Sequence, residues 1–349
     1  MKKALLGASA LVCAALLVSS AAEAKKTVTY VPVVPPPGAV STTAFGINDS
    51  NIIAGSFTDS SGVEHGFFGP LDGSNYTEFD AIAGQTGTEP RAIANDGSID
   101  GLAQGGAFVF GEEWFRSPDG TIKPLKKKKL LFDGVAQGFN GSDLFMGDYV
   151  DSTGTRVGYQ GANGKYKTGF SLPVDAISTN PRGINDSGVV AGGFIDTAGV
   201  QHGFTLDGST LNVIDFPGAA GITVAEGINN GGVVSGLWQD SSGNRHGFVY
   251  DSSTGDLTAI EGNDGSTFQQ IWGINNQGLI VLNTQQSDGT YKSYIYCPLK
   301  KKQCPKGGTE AEVQPIHVAP GTFLHYDKNG RTNRNLPAAK PTKVHAAIP

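Results

Sequence analysis

Beyond its first 24 residues, the chain has no stretch in which apolar residues recur at a helical period over a useful length. Helices are therefore not its main elements. Catalytic signatures are scarce as well: Gly-x-Ser-x-Gly is absent, and so is the twelve-residue loop D-x-[DN]-x-[DN]-G-x5-E. These absences exclude a nucleophile elbow and an EF-hand calcium site. No compact spacing of histidine and cysteine indicates a metal, and we expect neither metal nor cofactor.

The N-terminal segment 1–24 has the three parts of a secretory signal. Two lysines follow the initial methionine, residues 4–18 form an apolar run, and Ala-Glu-Ala at 22–24 is a small-x-small cleavage site. The run is too short to favour a membrane anchor. We therefore expect a secreted or periplasmic bacterial protein with no membrane span after cleavage.

Charge and cysteine content restrict the partners. Without the signal, the chain has 24 Lys and Arg against 31 Asp and Glu, a net charge of −7, which disfavours nucleic acid as a main partner. Cysteine occurs three times, and only Cys297 and Cys304 lie beyond the signal. In an exported chain, such a pair is predicted to form a disulfide that closes a small loop; two free thiols are the alternative.

A pattern of about 45 residues occurs six times. Its copies align on a small residue that precedes an apolar one: Gly46, Ala92, Gly138, Gly183, Gly227 and Gly273. Five residues later each copy has Gly, Asn or Asp, types that tolerate positive φ: Asn51, Gly97, Asp143, Gly188, Gly232 and Gly278. An asparagine stands three residues before that position in every copy except the second, which has Ala94: Asn48, Asn140, Asn185, Asn229 and Asn275. Its side chain can start a tight turn by bonding the backbone two residues on.

Each copy continues as short strands. An apolar β-branched run follows the turn, then a Gly in five copies, which indicates a bulge or a close backbone approach. An Asp-x-x-Gly hairpin comes next, and then a third strand with one aromatic residue, assigned as Phe67, Phe108, Tyr159, Phe204, Phe248 and Tyr294. Four short antiparallel strands in a fixed repeat predict an all-β fold, a six-bladed β-propeller over residues 25–298. Residues 27–34 alternate like a strand, and we expect them to complete the last blade and close the ring.

The motifs resemble the HAF repeat of bacterial extracellular proteins. The pattern G-I-N-[DN]-x-G-x-[VI]-[VA]-G, then D-x-x-G, then H-[AG]-F is clearest at 46–67, 183–204 and 227–248. The second copy departs from it: its hairpin is assigned as shorter, and Gly-Ala-Phe at 106–108 replaces His-Gly-Phe. The resemblance implies export and a propeller-like repeat fold, and it implies no established activity or catalytic residues.

Two segments fall outside the repeat. Residues 112–131 are interpreted as a long loop with Trp114 and a lysine run at 126–129. This loop either binds an anionic partner or is exposed to solvent without a binding role. Residues 299–349 are rich in Lys, Pro, Ala and Asn, and are predicted to be a low-complexity, mostly disordered tail.

Function is less determined than fold. Arg91, Arg182 and Glu226 stand directly before the repeat start, so they are candidates, with Trp114, to face a ligand at a channel mouth. The first hypothesis is a monomeric binding or scaffolding propeller for an extracellular or periplasmic glycan or protein. The second is a propeller enzyme of lyase or glycosidase type that acts on a saccharide at the central channel, since paired carboxylates remain open.

Equivalent histidines occur in three copies, at His65, His202 and His246. Three histidines are a known zinc set. Equivalent residues of a ring meet at bonding distance only on its axis, however, and these precede the third-strand aromatic, away from that axis. We therefore expect each histidine to bond a neighbouring turn and to shield the ring below it.

Overall fold

A computed structural model describes residues 25–105, 112–125, 135–142, 144–163, 165–260, 269–313, 315–317 and 325–326. Within them, nearly all regular structure is β-strand, and the one helical element is a 3-10 turn at Lys301–Gln303. No helix in this part of the chain is long and apolar enough to cross a membrane. The prediction of an all-β protein is confirmed.

The strands come in consecutive groups, preceded by one N-terminal strand and followed by three short tail strands. The N-terminal strand and the first three groups are β1 (Lys26–Pro32); β2 (Ser41–Ile47), β3 (Ile52–Thr58), β4 (Glu64–Pro70), β5 (Thr77–Phe79); β6 (Gly87–Ile93), β7 (Ile99–Gln104), β8 (Glu112–Arg116), β9 (Ile122–Pro124); β10 (Val135–Phe139), β11 (Leu144–Val150), β12 (Arg156–Ala162), β13 (Lys165–Gly169). The later groups and the tail strands are β14 (Ala176–Ile184), β15 (Val190–Asp196), β16 (Gln201–Asp207), β17 (Thr210–Ile214); β18 (Thr223–Ile228), β19 (Val233–Gln239), β20 (Arg245–Asp251), β21 (Asp256–Ile260); β22 (Gln269–Ile274), β23 (Ile280–Gln285), β24 (Tyr291–Cys297); β25 (Thr309–Val313), β26 (Pro315–His317), β27 (His325–Tyr326).

Each strand pairs antiparallel with the next one in its group. The first two groups are joined into one sheet by a single parallel residue pair, Glu64 with Gly87. The last group has three strands of its own, and β1 pairs antiparallel with β24, with Thr29 opposite Cys297. The N-terminal strand therefore supplies the fourth strand of this sheet.

The hydrophobic core lies between adjacent groups, whose sheets pack face to face. One cluster joins Ala191 of β15 with Phe248 of β20, both wholly buried. Another joins Phe67 of β4 with Val281 of β23, so the last group packs against the first. Apolar burial thus links groups that are neighbours in sequence and also the two ends of the series.

A buried asparagine shapes the turn between the first two strands of five groups. In the fourth group, Oδ1 of Asn185 accepts hydrogen bonds from the amides of Ser187 at 3.1 Å and Val189 at 2.9 Å. The position predicted to be left-handed has positive φ wherever it is described: Asn51 (58°), Gly97 (89°), Gly188 (81°), Gly232 (77°) and Gly278 (80°). Asp143 lies outside the described residues, and the turn prediction is confirmed for the others.

The same asparagines connect neighbouring groups. Nδ2 donates to the backbone carbonyl of the equivalent residue in the adjoining group, at 3.0–3.2 Å: Asn48 to Ala94, Asn140 to Asn185, Asn185 to Asn229, Asn229 to Asn275, and Asn275 to Asn48. Ala94 has no side-chain amide with which to donate. Because buried polar groups are costly unless hydrogen-bonded, each asparagine stabilises both its own turn and a contact between groups. We call this series the asparagine ladder.

The second group differs from the sequence interpretation. Its third strand is β8, in which Trp114 stands opposite Gly101 of β7, just as Phe67 stands opposite Gly55 in the first group. Trp114 is therefore the third-strand aromatic, and the assignment of Phe108 is wrong. The connection before β8 is longer than in other groups, not shorter. The supposed loop 112–131 begins with a core strand, while its lysine run 126–129 lies outside the described residues.

Parts of the C-terminal segment form short strands, and the prediction that most of 299–349 is disordered stays a prediction. Strands β25, β26 and β27 pair with β1, β21 and β17, the outermost strands of three sheets. Residues 309–313, 315–317 and 325–326 are therefore paired β-structure, because an outer strand leaves a row of backbone N–H and C=O groups for another strand to bond. Cys297 and Cys304 form a disulfide directly before β25, as predicted.

The asparagine ladder predicts opposite effects at two equivalent positions. Asn185→Ala removes three hydrogen bonds and should lower the free energy of unfolding by about 1–3 kcal/mol. Ala94→Asn should raise it, by up to about 1 kcal/mol, because it adds the missing donor. Denaturant midpoints at unchanged m-value measure both changes. Loss of less than about 0.5 kcal/mol in Asn185→Ala would contradict the role given to the ladder.

Candidate functional site

A large cavity lies at the end of the inner strands opposite the asparagine turns. It has a volume of about 570 Å³ and is bordered by the ends of several inner strands. Below it, the space between the inner strands narrows to about 70 Å³. Six residues border this narrow part at one equivalent position, directly before the repeat start: Phe45, Arg91, Gln137, Arg182, Glu226 and Trp272. We call these six residues the floor; all but Gln137 also border the large cavity.

A backbone irregularity explains why the floor residues stand out. In each group, the pairing of the first two strands shifts register at that position, for instance between Ala44 and Gly46 around Phe45. The same shift recurs in the other five groups. Such a bulge leaves one residue out of the ladder and re-aims its side chain.

The bulge also explains the glycine of the second strand. A Cβ on Gly55 would come within 2.3 Å of the Thr43 carbonyl oxygen, and one on Gly236 within 2.3 Å of the Val224 carbonyl oxygen. Only glycine fits where the bulged inner strand approaches this closely. The sequence interpretation of these glycines, a bulge or close approach, is confirmed.

Ion pairs hold two of the floor arginines. Nη2 of Arg91 lies 2.9 Å from Oε2 of Glu89, and Nη1 of Arg182 lies 3.0 Å from Oε2 of Glu226. Burial raises the pKa of the Glu226 carboxyl, and the nearby positive charge of Arg182 opposes that rise. The pair thus places a buried carboxylate beside a cation, which offsets part of its desolvation cost.

Aromatic rings occupy one side of the floor. The rings of Phe45 and Trp272 meet edge to face, with centroids 5.2 Å apart. The guanidinium carbon of Arg91 lies 4.6 Å from the Phe45 centroid and 5.0 Å from that of Trp272. The guanidinium carbon of Arg182 lies 5.7 Å from the same indole. These are cation–π distances, so the rings and cations orient one another.

A third carboxyl borders the cavity higher up. Oε1 of Glu64 accepts a hydrogen bond from the Ser56 hydroxyl at 2.6 Å. Burial raises the pKa of the Glu64 carboxyl, and the charge of neighbouring Glu89 raises it further, while the Ser56 hydrogen bond works in the opposite direction. The cavity therefore contains a carboxyl held towards its protonated form next to a second carboxyl.

Of the four residues predicted to face a ligand, three border the cavity and one does not. Arg91, Arg182 and Glu226 all lie on the floor; contact with a ligand stays a prediction for them. Trp114 does not face a cavity, because its side chain is wholly buried and packs edge to face on Phe79 at 5.5 Å. Its prediction as a ligand-facing residue is wrong.

Three floor residues were not among the predicted site residues, namely Phe45, Gln137 and Trp272. The signal for them was available in the repeat itself. They occupy the same offset from the repeat start as the two arginines and Glu226. A position that holds five residue types in six copies of a regular repeat is one that the framework does not constrain.

The opposite end of the inner strands is nearly closed. The space there is about 60 Å³ and is bordered by the asparagine turns. Oδ2 of Asp49 accepts hydrogen bonds from the side-chain amides of Asn95 at 2.7 Å and Asn276 at 2.6 Å. Its polar groups are therefore engaged with one another, and the candidate site is the large cavity.

Two solved structures resemble this chain over most of its length. The lectin of Aleuria aurantia, a mutant in complex with Fucalpha1-6GlcNAc, matches 82% of this chain and 100% of its own, with a TM-score of 0.50 and 15% identity. A putative TolB from Agrobacterium tumefaciens matches 79% of this chain and 100% of its own, with a TM-score of 0.50 and 13% identity. The chain is a β-propeller. No family model matches its sequence, and no curated protein does so.

The three equivalent histidines lie on the propeller away from the floor. The His202 ring stacks on Phe194 with centroids 5.0 Å apart, and its two nitrogens lie 2.8 Å from Asp215 and 3.3 Å from Asp196. His246 stacks on Trp238 in the same way. The prediction that these histidines bond a turn and cover a ring is confirmed. In the described residues, no three or more metal-ligating side chains form a group that could hold an ion.

The pKa of His202 is raised, mainly by the hydrogen bond with Asp215. We predict an imidazole pKa above about 6.5, its ordinary value. Because the folded value exceeds the unfolded one, this contribution to stability is complete below about pH 6.5 and is lost as the pH rises through the folded pKa. NMR titration should show a lower His202 pKa in Asp215→Asn. Asp251→Asn, a hairpin change, should leave it unaltered; a wild-type value at or below about 6.5 contradicts the assignment.

Proposed function

We propose that this chain is an exported six-bladed propeller of the HAF-repeat type that binds a saccharide in the large cavity. The observation that carries the proposal is the floor: a framework repeated in every group presents one residue from each of five groups to the large cavity, and these five residues are of four types. A regular scaffold with irregular side chains at one mouth is typical of a binding site.

Ring closure supports the six-bladed arrangement. Strand β1 lies between β24 and β25 in one sheet, which joins the two ends of the repeat domain. On the inner side, Nδ2 of Asn275 donates to the Asn48 carbonyl at 3.2 Å, and a Cβ on Gly273 would come within 3.3 Å of the Gly46 Cα. These contacts relate the last group to the first as neighbouring groups are related elsewhere.

The chemistry of the cavity favours a saccharide. A volume of about 570 Å³ falls within the roughly 300–1,000 Å³ of small-molecule sites. Aromatic faces suit the C–H face of a sugar ring, while arginine and carboxyl groups suit its hydroxyls. A lectin of the same fold is known in complex with a saccharide, which agrees with this class. The disulfide supports an oxidising compartment, outside the cytoplasm.

Trp272 provides the test of the binding site. Trp272→Ala removes the indole that both floor arginines contact, and should weaken binding of any saccharide found by array screening roughly ten- to hundredfold. Calorimetry with the mature chain measures the loss. Ile177→Ala, an exposed position that does not border the cavity, is the matched control. Unchanged affinity in Trp272→Ala would refute the location of the site.

A second candidate function is catalysis on the bound saccharide. It is favoured by the Glu64 carboxyl, whose raised pKa beside Glu89 suits a proton donor in glycoside cleavage or β-elimination. If this holds, Glu64→Gln should lower the rate of product formation by roughly 10²–10⁴-fold with little change in affinity. Chromatography of saccharides incubated with the mature chain measures the products. Failure of every bound saccharide to be cleaved leaves binding as the function.

A further inference from the structure

Guanidinium donors and carboxyl acceptors border the cavity together. The three carboxyls that border it lie close to protein groups: Glu89 with Arg91 at 2.9 Å, Glu226 with Arg182 at 3.0 Å, and Glu64 with Ser56 at 2.6 Å. The contact of Glu226 is an ion pair, and its Oε2 makes no hydrogen bond in the described residues. Each guanidinium carries five N–H donors in one plane. One carboxylate cannot use all five, so the two floor arginines keep donors for a ligand.

Two of these remaining donors are shielded from solvent. Nε of Arg91 and Nε of Arg182 are buried, and neither has a hydrogen-bond partner within the described residues. Their side chains are only 16% and 18% exposed, so water reaches them poorly. Because the two Nε atoms are buried, the exposed fraction of each side chain belongs to its other atoms, and a ligand in the cavity would meet the Nη groups.

The two arginines converge on one indole. Both guanidinium carbons lie within 6 Å of the Trp272 ring centroid, although Arg91 and Arg182 come from different groups. Their own partners, Glu89 and Glu226, also border the cavity and hold them in place through the Nη atoms. The floor therefore presents two preorganised planar donors beside one aromatic face.

We propose that the saccharide bound in the cavity carries a carboxylate, as in a hexuronic acid, and that Arg91 and Arg182 bind it while Trp272 packs against the sugar ring. The inference rests on the proposed function. A planar guanidinium matches a carboxylate with two parallel hydrogen bonds, and an aromatic ring beside it offers a flat apolar surface. A neutral sugar would leave the surplus donors without a charged acceptor.

Matched saccharide pairs test this inference. Mature wild-type chain is titrated by calorimetry with gluco-, galacto- and mannuronate oligomers and with their carboxyl-reduced neutral counterparts. We expect at least one uronate to bind about tenfold or more tightly than its neutral counterpart, since charge-assisted hydrogen bonds are the stronger ones. Added salt should narrow this difference. Arg91→Gln should abolish the preference, and Arg91→Lys should restore it only in part, because lysine lacks the planar fork.

Controls separate binding from folding. The single change Arg182→Gln would leave Glu226 buried without its cation. The double variant Arg182→Gln/Glu226→Gln avoids this, and it should also lose the preference for uronates over neutral saccharides. Arg116→Gln changes an arginine that packs on Phe68, outside the cavity, and should retain it. Equal binding of both members of every pair, or equal binding by a sulfated neutral sugar, overturns the carboxylate assignment alone. If no member of any pair binds, the proposed saccharide site fails as well.

Discussion

A buried asparagine in five of the six turns controls how the strand groups meet. Its carbonyl oxygen bonds the backbone of its own turn, and its amide bonds the carbonyl of the adjoining group, as Asn185 does with Val189 and Asn229. Because the side chain is buried, both bonds must form for it to be tolerated there. The turns are thereby held at one spacing, and the inner strands that end at them approach until the small residues at the repeat start, such as Gly183 and Gly227, are in contact.

That close approach accounts for the rest of the inner wall. Inner strands packed this tightly have no room for ordinary side chains at the repeat start, so each carries a small residue there. The bulge one residue earlier releases a single side chain from the ladder and directs it to the cavity. A framework residue and a candidate site residue are therefore adjacent in sequence. Packing constrains the size of the residue at Gly227, whereas it does not fix the residue type at Glu226.

The outer side of the propeller follows a different rule. The outermost strand of a sheet has one edge without a partner, and the backbone N–H and C=O groups of that edge can hydrogen-bond to a further strand. Strand β1 occupies that position in the last group, and β25, β26 and β27 add to three sheets in turn. The two termini thus cover edges that the repeat itself leaves open, and the disulfide at Cys297 and Cys304 fixes where the tail departs.

Features that depend on residues close together in sequence could be predicted from the sequence alone. The turn around Asn48, the glycine at Gly55 and the secretion-compatible cysteine pair follow from local backbone geometry and short spacing. Features that depend on distant partners could not. Trp114 could be placed in the core only once β8 was seen opposite Gly101, because the connection between β7 and β8 has a different length from that of the other groups. Phe45 and Trp272 lie far apart in sequence, and only the packing of the last strand group against the first brings their ring centroids to 5.2 Å. Local chemistry in the sequence determined the repeating unit, whereas tertiary packing decided which of its residues share a cavity.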